Sequence, residues 1–87
     1  MNPRIEQVWA LEEYKLKLLF TNNECKIFDA TPYLEFGQFK TLKDKAVFNS
    51  VKPFMGSIQW ENGLDLCPDT LYLESVVPSN LEFSNSH

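Results

Sequence analysis

A chain of 87 residues, with eight basic and twelve acidic side chains and a net charge of −4, has room for one domain and no second. Nucleic-acid binding by the chain itself is not expected, because phosphate neutralisation needs clustered Lys and Arg, and here only Lys40, Lys43 and Lys45 lie close together, with Asp44 between them. A membrane span is likewise excluded, since no stretch approaches the ~20 apolar residues it requires.

Ile5 to Leu11 reads as a strand built on Ile5, Val8 and Trp9, although its alternation is imperfect. Glu12-Glu13 is a short polar connection. Tyr14 to Phe20 is the cleanest strand: Tyr14, Leu16, Leu18 and Phe20 fall on one face and Lys15 and Lys17 on the other. Leu19 interrupts the polar face. Thr21-Asn22-Asn23-Glu24 is a turn, because Asn tolerates positive φ. Cys25 to Asp29 forms a third strand and completes a meander. Lys26 and Phe28 share one of its faces.

The middle of the chain turns helical. Thr31 is expected as the N-cap of a one- or two-turn helix with Pro32 at its first position and Gly37 as its C′ residue. Thr41 is expected to cap a second helix, with Leu42 and Ala46 facing the core. Val51 to Met55 reads as a strand whose Pro53 suits an edge or a bulge. Gly56 to Trp60 comes next, with Ile58 and Trp60 on one face. Asn62-Gly63 signals a two-residue hairpin of the I′ type. Leu64 to Leu66 returns, and Pro68 opens a helix through Tyr72 and Leu73. The fold class is therefore α+β: a small antiparallel sheet, made of a three-stranded meander plus a later hairpin, with two or three short helices. Residues 1–75 are expected to form the domain and residues 76–87 a flexible polar tail.

Placed catalytic groups are scarce. The sole histidine, His87, is the last residue, and a general base must be held within about 3 Å of its target. Ser–His and Cys–His schemes are thus not expected. Cys25 and Cys67 lack the spacing of a zinc motif or a disulfide framework. The start of the chain carries no apolar run, which predicts no signal peptide and a cytoplasmic location. Gly37, Gly56 and Gly63 are isolated, so no phosphate loop is present. Carboxylates remain. Asp29, Asp65 and Asp69 each sit beside apolar neighbours, and two of them could pair for metal binding or proton transfer. The structural reading makes Asp29 and Asp65 acceptors for turns and Asp69 a first-turn acid favoured by the helix dipole; it carries more weight. Trp60 is either a stacking platform or, more commonly for a Trp at a strand end, part of the core. Cys67 precedes a helix start, which can activate a thiol, yet no basic neighbour supports that role.

Asp29 after a meander, Leu42 and Phe48 in the middle, then Trp60-Glu61-Asn62-Gly63-Leu64-Asp65 and Pro68-Asp69-Thr70-Leu71-Tyr72 resemble the bacterial family called domain of unknown function 2442, over roughly Pro3 to Leu73. The resemblance implies a small α+β fold. It also implies one of two settings. Some relatives place the domain before a helix-turn-helix; others stand alone, encoded beside a second small protein in an arrangement like toxin–antitoxin pairing. The family has no accepted catalytic residues, and the segment after Leu73 is too short for a helix-turn-helix. The expectation is a protein–protein interaction module, antitoxin-like, with a basic protein partner or a second copy, no cofactor, no metal and no catalysis. Trp60, Asp65, Asp29 and Asp69 are its candidate interaction or pocket residues. The alternative is a detached ligand-sensing domain with a pocket around Asp29 and Asp65.

Overall fold

The computed structural model describes residues 2–77. Three strands, β1 (Ile5–Ala10), β2 (Lys15–Phe20) and β3 (Cys25–Asp29), form an antiparallel meander in that order. Leu16, Leu18 and Phe20 are fully buried, as the alternation of β2 requires. Phe28 sits opposite Leu16 and Lys26 opposite Leu18, so they share that face.

The uneven pattern of β1 has a definite cause. Ile5 pairs with Phe20 and Gln7 with Leu19, so the register slips by one residue between them. This β-bulge shifts the period-2 phase. Ile5 and Val8, three apart in sequence, both reach the core as a result. Trp9 is left on the outer face, 45 % exposed, with the Lys17 ammonium 5.3 Å from its ring centre.

The helical middle departs from expectation in three places. Thr31 is not a cap: its N–H and hydroxyl both donate to Asp29 Oδ1, at 3.0 and 2.7 Å, and the segment is a single 3-10 turn, Thr31–Tyr33. Gly37 does take a left-handed φ of 48°, but it opens a 3-10 stretch, Gly37–Lys43, instead of closing a helix. Thr41 spends its hydroxyl on Gln38 O and on Asn62 Nδ2. The cap of helix α1 (Lys45–Phe48) is Asp44, which accepts from Ala46 N at 3.0 Å. Leu42, in the 3-10 stretch, and Phe48, in α1, are buried, whereas Ala46 is exposed.

A second antiparallel sheet contains β4 (Lys52–Phe54), β5 (Ser57–Gln59) and β6 (Asp65–Leu66). β4, with Pro53, is an edge strand, as its proline suggested. The two sheets meet where Ile5 N donates to Gly56 O at 3.0 Å. Helix α2 (Pro68–Glu74) starts on its proline and buries Leu71.

Polar ties hold α2 against the meander. Tyr72 lies edge-on to Phe20, centroids 5.0 Å apart, and its hydroxyl donates to Glu24 at 2.5 Å. The Lys26 ammonium donates to Tyr72 O at 2.7 Å and sits 3.9 Å from the centre of the Tyr72 ring. Tyr33 OH donates to Glu74 at 2.5 Å. Beyond α2, Ser75 is buried and Val76 bridges Ile27 through two backbone hydrogen bonds, 2.7 and 2.9 Å. Most of the expected tail, residues 78–87, lies outside the described residues. Among the described residues, no helix is long and apolar enough to cross a membrane.

Candidate interaction surface

Two hairpins join the strands of the second sheet, and their turns reverse the sequence expectation. Asn62-Gly63 does not form a I′ turn. Trp60 N donates to Leu64 O and Gly63 N to Trp60 O, each at 2.9 Å, which encloses three residues, Glu61 to Gly63. Only Gly63 has positive φ, at 90°. This is the three-residue loop with glycine in the left-handed position. Asn62 acts through its side chain instead, accepting from Leu64 N and donating to Thr41.

The I′ geometry appears at the other hairpin. Phe54 pairs with Ser57, so Met55 and Gly56 form a two-residue turn, with φ of 50° and 84°. A I′ turn demands positive φ at both central positions and favours Asn-Gly. Methionine there is strained by about 1 kcal/mol. Its side chain contributes no burial in return, being 84 % exposed, and Phe54 beside it is 42 % exposed.

Beneath this tip lies a shallow groove of about 360 Å³, lined by Phe54, Met55, Ile58, Asp65, Leu66 and Pro68 among others. Asp65 sits on its margin and is exposed. It makes no side-chain hydrogen bond or ion pair among the described residues, so it is not the turn acceptor that its sequence position suggested. The groove therefore has an apolar wall, an apolar tip and an exposed carboxylate.

The other expected site residues are placed elsewhere. Trp60 is 1 % exposed, its ring tilted against Phe48 and its Nε1–H donating to Phe48 O at 3.1 Å. It is core, with its polar atom satisfied, and offers no stacking face. Asp29 belongs to the first sheet. Burial pushes its carboxyl up, but the hydrogen bonds from Thr31 and the nearby Lys15 charge outweigh this and leave it below the usual carboxylate range. Asp69 is in the first turn of α2 and accepts a 3.3 Å bond from Asn2. Asp65 lines the groove under the hairpin tip, whereas Asp29 lies in β3 and is not among the residues that line that groove. Cys25 is half-buried and Cys67 exposed, and they are not bonded to each other. Among the described residues, no group of three His, Cys, Asp or Glu side chains is arranged to hold a metal.

The residues missed by the sequence reading are Phe54 and Met55 as a presented pair. A signal existed: a Met-Gly dipeptide between two short alternating runs occupies I′ positions. It was outweighed by the stronger Asn-Gly seven residues later.

A family model described as "Protein of unknown function (DUF2442)" matches residues 5–76 of the chain. Comparison with curated proteins and with solved structures returns no match.

Proposed function

The chain belongs to the DUF2442 family, and from that premise we propose that it is a protein–protein interaction module that docks a basic protein partner through the β4–β5 hairpin. The observation that supports this most is Met55. An apolar side chain held in a left-handed turn and turned to solvent costs stability without a folding return, and backbone strain of this kind gathers where a surface does work. Phe54 and Met55 would supply the apolar anchors of the contact, and Asp65 with the net charge of −4 would supply the complement to a basic partner. The partner is a small protein encoded beside this one, in the manner of an antitoxin-like half. The module works in the cytoplasm, without cofactor or metal, and catalyses no reaction.

Co-expression with the product of the adjacent gene tests the reading. The two proteins are expected to co-purify, with an association that weakens as salt rises. Met55→Asn should weaken the complex while leaving this chain folded. Recovery of only free chain, as monomer or homodimer, would overturn the proposal of a heterologous partner.

A further inference from the structure

A second concavity, of about 530 Å³, lies across the molecule's β1–β2 corner and takes no part in the docking surface. Its floor is apolar: Ala10, Leu11, the Tyr14 ring and buried Phe48. The Tyr14 and Phe48 rings meet edge to face, centroids 5.3 Å apart. The exposed residues of its lining, Glu12, Glu13, Lys45 and Asn49, form a rim with charge of both signs. Glu13 is drawn toward Lys15 at 3.5 Å, whereas Glu12 and Lys45 form no ion pair among the described residues.

The corner is built under strain. Glu13 and Tyr14 are consecutive non-glycine residues with φ of 61° and 60°, a region where the Cβ crowds the following carbonyl oxygen. Leu11 N donates to Lys15 O and Ala30 N to Tyr14 O, while Tyr14 OH donates to Lys43 O at 2.5 Å. These bonds hold the strained corner shut and fix the aromatic floor under the rim. The volume falls within the range of small-molecule sites, which combine an apolar lining with a few convergent polar groups.

We propose that this cavity binds a free amino acid with an apolar side chain. The ammonium meets Glu12, the carboxylate meets Lys45 and Asn49, and the side chain covers the Tyr14–Phe48 floor. The proposal is independent of the docking surface, since no residue lines both concavities.

The probe is L-phenylalanine, compared with phenethylamine, which lacks the carboxylate, and 3-phenylpropionate, which lacks the ammonium. Each is titrated into the full chain by calorimetry and by amide-resolved NMR. Saturable binding of L-phenylalanine is expected, with shifts confined to residues 10–14 and 45–49. Each analogue should bind about tenfold more weakly, the loss expected of one charge-assisted contact. Lys45→Ala and Glu12→Gln should each reproduce that loss with an unchanged melting temperature, both side chains being exposed. Three results would overturn the proposal: no saturable binding of any probe at millimolar concentration, an analogue binding as tightly as the amino acid, or shifts centred elsewhere.

Discussion

The two hairpins of the second sheet differ in what decides their geometry. Around Asn62-Gly63 the flanking residues decide: Trp60 must reach the core, where it is 1 % exposed, and Leu64 must pair with it. A three-residue loop meets both demands, and the local preference of Asn-Gly for the tighter turn is overridden. At Met55-Gly56 the pairing of Phe54 with Ser57 leaves only two residues to turn, and Met55 is forced into a conformation it disfavours. The first hairpin uses its turn to serve the core; the second spends stability on an exposed side chain. Register follows burial before turn propensity, and strain that burial does not explain is the better pointer to function.

The comparison can be broken most severely at Trp60. Trp60→Ala should cost about 3–5 kcal/mol, enough to unfold much of a domain this small; chemical denaturation measures it, with no equal loss expected from any change at Met55. Next come the two turn glycines. Both have left-handed φ, so alanine at either should cost about 1–2 kcal/mol. A Cβ at Gly63 would meet open space, whereas at Gly56 it would stand 2.7 Å from Arg4 Cδ. Gly56→Ala should therefore be the more damaging, and the excess should disappear in an Arg4→Ala background, read as a double-mutant cycle. Equal costs in both backgrounds would remove the Arg4 contact from the account.

Met55→Asn runs the opposite way. It supplies the residue a I′ turn favours and should raise stability by roughly 0.5–1 kcal/mol while weakening partner association, a stabilisation that costs function. If stability and association rise together, Met55 is not a docking residue. The smallest effect concerns pH and leaves both hairpins untouched. The hydrogen bond to Glu74, then burial, hold the Tyr33 hydroxyl proton up to about 12, against an ordinary value of 10.0. The folded state thus binds this proton more tightly than the unfolded chain. The stabilisation is complete below pH 10, and it is lost as pH rises through about 12. Tyr33→Phe should flatten this alkaline arm in thermal melts across that range.

Legibility in the sequence followed the strength of the local signal. β2 could be read because Leu16, Leu18 and Phe20 alternate without interruption, and α2 because Pro68 marks its first position. β1 was blurred because a bulge is a relation between two strands, invisible in either alone. The helix cap was misplaced from Asp44 to Thr41 because both are good cap residues, and only the fold shows that Thr41 is committed to Gln38 and Asn62. Of the candidate site residues, Asp65 is an exposed groove carboxylate instead of a turn acceptor. Trp60 proved to be core, while Asp29 and Asp69 went to separate elements. The strained corner at Glu13 and Tyr14 left no trace in the sequence, because neither residue type favours positive φ.

The placement of the two tryptophans gives the molecule a built-in pair of optical reporters. Trp60, sealed against Phe48, should emit at short wavelength and resist collisional quenchers until the core opens. Trp9, on the outer face of the meander with the Lys17 cation beside it, should emit further to the red and be quenched at once. Selective quenching of the red component would therefore leave a signal that follows global unfolding alone, and a protein or small molecule that covers the meander would reveal itself by shielding Trp9 first.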